Sequence, residues 1–292
     1  MPRSFVIGFF LLLSARAFAA SDSLIVREPH SFGALTVWLL DGPESSSRPY
    51  LTLEEALRTG RAVIHENNSQ ELWIENKSDT DLFIQSADLI KGGQQDRMVE
   101  HDMIVGAHDT SLSLNVYCIE HDRSFKRGSE PIETFSSSDW RNPIAHSRLV
   151  VLHSLTEKLL SPQLGGLTAP DTNELNLLNA LGTTPQQFQQ YPDAAQESIW
   201  NDVHSVQSGL THTLKDSVTK NASPSSLELA LENEDVTDRE HSMLKKLRRL
   251  IEDDPNVVGF VYAVNGTVTS ADEYSSRSLF AAMWPKLVKG IV

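Results

Sequence analysis

The sequence predicts an α+β fold in which a β-rich first half packs against helices and a hairpin from the second half. Short β-branched and aromatic runs recur at intervals of roughly ten residues in the first half, helical spacing of apolar residues dominates the second, and an Asn-Gly pair marks a hairpin. We expect a sandwich or barrel-like sheet over 24–125 and mainly helices over 144–292, with the hairpin at 258–271. At 292 residues, 40% hydrophobic and 22% charged, the chain suits one such domain over 20–292.

Polar or glycine-containing breaks separate the predicted strands. These strands are 35–40, 62–66, 71–76, 80–86, 98–105 and 111–120. One helix interrupts them, because the sequence from Thr52 to Glu55 is a capping box in which the threonine hydroxyl accepts an amide hydrogen bond. Gly60 is a suitable end for that helix.

Helical periodicity dominates the second half. One helix is predicted over 144–160, and another is marked by a stripe of apolar residues at spacings of three and four. The stripe consists of Ile199, Val203, Val206, Leu210 and Leu214. A capping box at 237–240 predicts the start of a third helix, and a last amphipathic helix covers 276–287. Asn265 and Gly266 supply the two positive φ angles of a type I′ hairpin turn.

The first 19 residues have the pattern of a signal peptide. Arg3 precedes an apolar stretch over 5–13, and a small-residue site ends at Ala19, so we predict cleavage after Ala19 and a secreted or periplasmic protein. Arg16 lies unusually near that site, and the alternative is a signal retained as a membrane anchor. No later apolar run approaches the ~20 residues needed to cross a bilayer, so we expect no stable membrane insertion after cleavage.

The chain is acidic, with a formal net charge of −14. Such a surface repels nucleic acid and anionic membranes, so we exclude nucleic acid as a partner. The basic residues clustered over 245–249 share an amphipathic helix with acidic residues, and we interpret them as a solvated helix face. Cys118 is the only cysteine, which excludes an internal disulfide. Within its apolar strand we expect it to pack as a small hydrophobic residue rather than act as a nucleophile.

Familiar catalytic and cofactor motifs are missing from the sequence: it contains no HExxH, G-x-S-x-G, Walker A, GxGxxG or paired CxxC. The stretches rich in histidine and carboxylate at 100–102, 108–109 and 120–122 could place metal ligands on neighbouring strands, but their spacing matches no ligand rule. We therefore favour a solvated sheet face over a metal site, and predict no cofactor.

The segment GGQQDR, from Gly92 to Arg97, is the strongest candidate for a binding loop. Consecutive amides at Gly92 and Gly93 can form an anion nest, and Arg97 has a planar fork suited to phosphate or carboxylate. The alternative is an ordinary hairpin loop capped by an ion pair between Asp96 and Arg97. Trp200, one step off the apolar stripe of its helix, is either the edge of the core or a platform on which a sugar or base stacks.

Five motifs follow one another along the chain. They are KGGQQDR at 91–97, VYCIEHDR at 116–123, QESIWNDV at 196–203, GFVYAVNGTV at 259–268 and FAAMWPKL at 280–287. Together they resemble the ARG and rhodanese-phosphatase-superfamily-associated protein domain, over roughly residues 30–290. The resemblance implies a connection with ADP-ribose or related phospho-nucleoside metabolism, because the family is named for its association with ADP-ribosylglycohydrolases and rhodanese-type phosphatases.

The resemblance carries over onto particular positions. The matching residues are Gly92, Gly93, Gln95, Asp96, Arg97, Cys118, Glu120, Arg123, Gln196, Trp200, Asn265 and Gly266. Family members often read C-x-E-x-G-R-W in the second motif, whereas this chain has Asp122 and Ser124 in place of the glycine and the tryptophan. That difference puts in doubt any activity that depends on this turn. A secretion signal also departs from a cytoplasmic nucleotide-processing role.

These residues suggest a site where two strands end together. If the strand before the GGQQDR segment and the strand ending at Glu120 are neighbours, Arg97, Glu120 and Arg123 would converge with Gln95 into a pocket for a phosphorylated or acidic ligand. Glu120 would be the general acid or base, and Asp96 would orient Arg97. The alternative is that these charged residues form structural ion pairs that hold two loops.

We therefore expect an exported α+β protein that binds, and could also hydrolyse, a small anionic ligand such as an ADP-ribose-like or phosphorylated sugar compound. The expected ligand-binding residues are Gly92, Gly93, Gln95, Arg97, Arg123 and Trp200, and the expected catalytic residues are Glu120 and Asp96. The runner-up is a non-catalytic secreted or envelope interaction protein whose polar motifs hold the β half together. A metal-dependent hydrolase using the histidine and carboxylate stretches is a third hypothesis.

Overall fold

The computed structural model describes most of the chain beyond the N-terminal segment. The described residues are 25–291 apart from 45, 68–70, 122, 124–133, 145–146, 149–191, 220–222, 253 and 255. The predicted signal peptide, and nearly all of the helix predicted over 144–160, lie outside them.

The helices lie mainly in the second half and the strands mainly in the first, which confirms the α+β class. The strands are β1 (Ile25–Val26), β2 (His30–Phe32), β3 (Leu35–Asp41), β4 (Leu51–Thr52), β5 (Ala62–Glu66), β6 (Leu72–Asn76), β7 (Leu82–Ile84), β8 (Asp88–Gly92), β9 (Arg97–Val99), β10 (Met103–Val105), β11 (Leu112–Leu114), β12 (Val116–Cys118), β13 (Phe135–Arg141), β14 (Val257–Val264) and β15 (Thr267–Glu273). The helices are α1 (Leu53–Arg58), α2 (Pro192–Leu214), α3 (Leu227–Leu231), α4 (Glu234–Arg248) and α5 (Arg277–Lys289), and a 3-10 turn, Arg249–Ile251, follows α4.

One sheet joins the two halves of the chain. Its strand order is β1-β3-β14-β15, with β2 also paired to β3, so the C-terminal hairpin hydrogen-bonds to an N-terminal strand. Helices α4 and α5 contribute buried residues to the core on this sheet, where Phe260 and Trp284 meet edge to face at 5.2 Å. The Trp284 indole donates to the carbonyl of Leu247 at 3.1 Å, so its one polar group is satisfied inside the core.

Three smaller sheets make up the rest of the β-rich half. Their orders are β10-β7-β4, β11-β6-β5 and β12-β9-β8-β13. Helix α1 shares a core with them through Leu53 and Ala56. As predicted, this helix begins after Thr52, whose hydroxyl accepts a hydrogen bond from the Glu55 amide at 3.2 Å.

The prediction of single strands over 98–105 and 111–120 is wrong. The first run splits into β9 and β10, and the second splits into β11 and β12. Strands β9 and β12 pair with each other, whereas β10 pairs with β7 and β11 pairs with β6, so each run crosses from one sheet to another. At the first crossing the Asp102 side chain accepts a hydrogen bond from the Ser86 amide at 2.6 Å, which replaces a ladder bond.

The serine-rich stretch 135–141, which is not among the predicted strands, is the seven-residue strand β13, paired with β8. Its serines are tolerated in the sheet because buried hydroxyls find partners. Ser138 donates to Glu228 at 2.9 Å and accepts from the Trp140 amide at 3.0 Å.

The predicted start of α4 at the 237–240 capping box is also wrong. The helix begins four residues earlier, because the Asn233 side chain accepts a hydrogen bond from the Asp235 amide at 2.9 Å and caps it there. The Thr237 hydroxyl instead donates to the Glu234 carbonyl inside the helix, at 3.0 Å. In α2, Ile199 and Val203 of the predicted stripe are buried, whereas its C-terminal members are only partly covered.

The predicted hairpin is present, with φ of 52° at Asn265 and 80° at Gly266. Its two strands cover 257–264 and 267–273, slightly more than was expected. Among the described helices, none combines the length and the apolar character required to cross a bilayer.

Two glycines of this hairpin are required for different reasons, which substitution can separate. A Cβ on Gly259 would lie 2.3 Å from the carbonyl oxygen of Asp272, whereas one on Gly266 would meet nothing within 4 Å and would suffer only from the positive φ. We expect Gly266→Ala to cost about 1 kcal/mol of unfolding free energy and Gly259→Ala roughly 2–3 kcal/mol. Urea unfolding of both variants measures this, and an equal or smaller loss at Gly259 would contradict the close approach.

Candidate functional site

The GGQQDR segment connects β8 to β9 at one end of the four-stranded sheet. Strand β9 lies between β8 and β12. The strand before the segment and the strand before Glu120 are therefore not direct neighbours, which was the condition for the predicted pocket, but both pair with β9. The register places Cys118 opposite Arg97, and the Ile119 amide donates to the Asp96 carbonyl at 3.2 Å. This pairing brings Glu120 beside Asp96.

The carboxylate of Glu120 is the centre of a buried polar cluster that also contains Asp96, Arg97 and Arg123. Its Oε2 accepts hydrogen bonds from the Asp96 amide and from Nε of Arg123, both at 2.7 Å. Its Oε1 accepts from the Ser223 hydroxyl at 2.7 Å. Burial opposes ionisation of this fully buried group, but the hydrogen bonds from Arg123, Ser223 and Asp96 outweigh it and lower the pKa of Glu120.

Asp96 interacts with Arg123 and not with Arg97. Its Oδ1 accepts from Nη2 of Arg123 and from the Gly92 amide, both at 3.1 Å, and Ser226 donates to its Oδ2 at 3.5 Å. Our expectation that Asp96 orients Arg97 is therefore wrong. Arg123 also donates to the Gly93 carbonyl at 3.2 Å, so this one guanidinium binds both carboxylates and the backbone of the loop.

Arg97 finds its carboxylate on another strand. Its Nη2 lies 3.1 Å from Oε1 of Glu66, and its Nη1 donates to the side chain of Gln95 at 3.2 Å. The other oxygen of Glu66 accepts from the Gln94 amide at 3.0 Å. Sequence reasoning missed Glu66, although a signal existed: it is two residues beyond Ile64 on the buried face of β5, where a carboxylate needs a cation.

The two glycines are required by packing. With φ of 121° and 59°, Gly92 and Gly93 turn the chain tightly against β13. A Cβ on Gly92 would lie 2.2 Å from the carbonyl oxygen of Thr134, and one on Gly93 would lie 2.5 Å from the Phe135 ring. Close approach of backbone to protein, rather than to a ligand, is enough to explain glycine here.

Residues around α3 complete the cluster from the second half of the chain. Ser226 caps α3 by accepting from the Leu229 amide at 3.1 Å, and Glu228 in its first turn lies 3.3 Å from Nζ of Lys91. Complete burial raises the pKa of Glu228 to about 7, although Lys91 opposes the shift. No sequence motif marked Ser223, Ser226 or Glu228, because their partners are about 90 to 140 residues away in the chain.

Trp200 lies beside the cluster but makes no hydrogen bond to it. Its ring meets His121 edge to face at 4.4 Å, and its indole N–H has no partner among the described residues. One turn earlier, Gln196 accepts from the Cys118 amide at 2.9 Å and donates to the Cys118 carbonyl at 2.6 Å. This amide completes the edge of β12 as a neighbouring strand would, and it attaches α2 to the sheet.

Cys118 is half-buried, and its burial raises the pKa of the thiol, which keeps it in the protonated, less nucleophilic form. Within the part of the chain that the structure describes, no three histidine, cysteine or carboxylate side chains are arranged so that they could hold a metal ion. His108, for example, is exposed and pairs with Asp79 at 2.7 Å.

Comparison with family models decides the relationship of this chain. The model of the ARPP-1 domain, the ARG and Rhodanese-Phosphatase-superfamily-associated Protein domain, matches residues 23–292. The chain belongs to the ARPP-1 family. The match covers the whole cluster, so the GGQQDR and CIEHDR segments lie within the ARPP-1 domain. Comparisons with curated proteins and with solved structures give no significant match.

The packing account of Gly92 predicts a loss of stability on substitution. Gly92→Ala must both hold a positive φ and displace the Thr134 carbonyl, so we expect it to lower the free energy of unfolding by about 2–3 kcal/mol. Gly106→Ala is the matched control, because a Cβ there meets nothing within 4 Å, and it should change stability by no more than ~0.5 kcal/mol. Urea unfolding tests both, and a Gly92→Ala protein as stable as the control would refute the packing role.

Proposed function

We propose that this ARPP-1 domain is a non-catalytic interaction protein, and that the cluster of Asp96, Arg97, Glu120 and Arg123 is structural. One observation carries the proposal: both oxygens of Glu120 are occupied by donors from the protein itself. The four side chains of the cluster are at most 2% exposed. A site for a substrate needs donors and acceptors that the protein has not already engaged.

The chemistry of Glu120 points the same way. A general acid or base works best when its pKa lies near the working pH, and it must reach the proton that it transfers. The pKa of Glu120 is lowered, so the group is an anion at neutral pH, and its oxygens are engaged with Arg123, Asp96 and Ser223. An anion held in this way is suited to orienting its donors.

The cluster also has a structural task to perform. Ser223 and Ser226, which precede α3, bind Glu120 and Asp96 in the β-rich half. Removal of one member of a buried ion pair, such as Glu120 with Arg123, leaves its partner charged and without a counterion, which typically costs about 3–5 kcal/mol. The cluster therefore holds the helical half on the sheet.

The cellular location of the protein is proposed from the sequence alone. The signal-peptide pattern of residues 1–19 supports a secreted or periplasmic protein, which an N-terminal analysis of the exported chain would test. Cleavage after Ala19 is the expected result.

A second candidate function is the binding and hydrolysis of a small anionic ligand, such as an ADP-ribose-like or phosphorylated sugar compound, at the same cluster. It is favoured by the convergence of two arginines with the backbone of Gly92 and Gly93. To bind there, an anion would have to displace Glu120 or Glu66 from its arginine.

Substitution of cluster residues distinguishes the two functions. We expect Arg97→Ala and Glu120→Gln each to cost about 3–5 kcal/mol, which for a chain of this size lowers the melting temperature by on the order of 10 °C. Arg58→Ala is the matched control, because Arg58 is exposed and its loss should cost no more than ~0.5 kcal/mol. Thermal unfolding measures all three.

The same unfolding experiments are repeated with ADP-ribose, NAD, sugar phosphates, acidic sugars and divalent metals, together with an assay for hydrolysis of the first three. The proposal expects no hydrolysis and no ligand-induced stabilisation that depends on Arg97. A compound at 100 times its Kd adds ~2.7 kcal/mol of stability. If such a gain appears in the wild type and is lost in folded Arg97→Ala protein, or if turnover is lost in Glu120→Gln, the cluster is an active site.

A further inference from the structure

A groove of about 590 Å³ lies between α4, α5 and the end of β13, away from the cluster. Thr237, Glu240, His241, Leu244, Lys245 and Arg248 line it from α4, and Trp140 and Lys289 line it from the other side. The α4 residues follow one another at spacings of three, one, three, one and three, so one face of the helix forms the wall. This volume is within the range of sites for small organic ligands.

The groove concentrates positive charge in an acidic chain. Lys245, Arg248 and Arg249 are exposed and make no ion pair within the described part of the chain. Lys289 differs from them, because it pairs with Asp139 at 2.6 Å and lies over the Trp140 ring at 4.3 Å. The lining has four cations against two carboxylates, and Asp139 beside it compensates Lys289, so the groove keeps a positive excess of one charge, whereas the whole chain has a net charge of −14.

Basic residues in the last turn of a helix have an ordinary explanation, since they complement its dipole. A solvated helix face, which the sequence suggested for 245–249, would explain these basic residues without any ligand. The lysine and the two arginines, however, adjoin a concave surface that contains Trp140, a side chain only 5% exposed. The buried indole N–H of Trp140 has no hydrogen-bond partner in the described structure. Buried donors are almost always paired, so this one is available to an acceptor.

Glu240 lies next to this donor. Burial raises the pKa of Glu240 to about 7, against the opposing effects of Lys289 and of the nearby indole. The indole and the carboxylate do not reach normal hydrogen-bond geometry. The charged and titratable groups around Glu240 in the groove are His241, Lys245, Arg248, Arg249 and Glu252 from α4 and the turn after it, Lys289 from α5, and Asp139 on β13 next to Lys289.

We propose that this groove binds a small phosphate monoester of a hydroxylated ring, with the phosphate on Lys245, Arg248 and Arg249 and a ring oxygen on the Trp140 indole. A phosphate suits Lys245, Arg248 and Arg249, the groove cations that make no ion pair among the described residues, and the planar forks of arginine match its oxygens. The ring oxygen supplies the acceptor that the indole lacks. This inference goes beyond the proposed function and rests on none of the residues of the cluster.

Calorimetric titration of the full chain with glucose 6-phosphate, inorganic phosphate and glucose tests the proposal. We expect glucose 6-phosphate to bind, inorganic phosphate to bind more weakly, and glucose not to bind. Arg248→Ala and Lys245→Ala should each raise the Kd for glucose 6-phosphate about tenfold, since each removes a hydrogen bond to a charged group. Arg239→Ala and Lys246→Ala are the matched controls, because both residues are exposed on α4 but do not line the groove, and they should have no effect.

Two further variants test the roles of the indole and of Glu240. Trp140→Phe keeps a ring but removes the N–H. It should raise the Kd for glucose 6-phosphate several-fold and leave the Kd for inorganic phosphate unchanged. Glu240→Gln removes a negative charge that is present above pH 7 and mostly absent below it. The variant should therefore bind glucose 6-phosphate more tightly than the wild type at pH 8 and about equally at pH 6. The comparison at each pH cancels titration of the phosphate itself.

Three results would overturn the inference. They are no binding of glucose 6-phosphate at millimolar concentration, equal losses in the groove variants and in the two control variants, and binding of glucose 6-phosphate no tighter than that of inorganic phosphate. Each of them leaves the structural role of the Glu120 cluster intact, because that role is measured by unfolding of Arg97 and Glu120 variants.

Discussion

The carboxylate of Glu120 receives hydrogen bonds from three separate parts of the chain: the amide of Asp96 in the GGQQDR segment, the guanidinium of Arg123 and the hydroxyl of Ser223. The first two hold the ends of β9 and β12 together, and the third attaches the segment before α3. Because Glu120 is wholly buried, none of these donors has water as a substitute. The arrangement of the four-stranded sheet and of α3 therefore depends on this one group.

The cluster balances its charges with backbone as well as with side chains. Three carboxylates, on Glu66, Asp96 and Glu120, face two guanidiniums, on Arg97 and Arg123. The remaining negative charge is stabilised by amide donors from the loop between β8 and β9. In a chain with a single cysteine, a buried polar network of this kind connects distant segments in the absence of a disulfide.

Two local signals in the sequence predicted local structure correctly. The Thr52 cap and the Asn265–Gly266 turn are correct because each depends on a few adjacent residues. Partners far apart in the chain were not predicted. Proximity in sequence suggested Asp96 as the partner of Arg97, whereas in the fold its partner is Glu66, 31 residues away. The same limit hid Ser223, 103 residues from Glu120. The segments of the site were therefore predictable, but their pairing and burial, which decide between a ligand site and a structural cluster, were not.

Hydrogen exchange at the Asp96 amide tests the structural role of the cluster most directly. This amide lies in a connection between strands, where exchange is ordinarily fast, yet here it donates to a buried carboxylate at 2.7 Å. We predict that it exchanges as slowly as the amides of β3 at the centre of the five-stranded sheet, that is, only by global unfolding. Exchange as fast as at the exposed Gly266 turn would show that the GGQQDR segment opens in the native state, and would contradict the structural account.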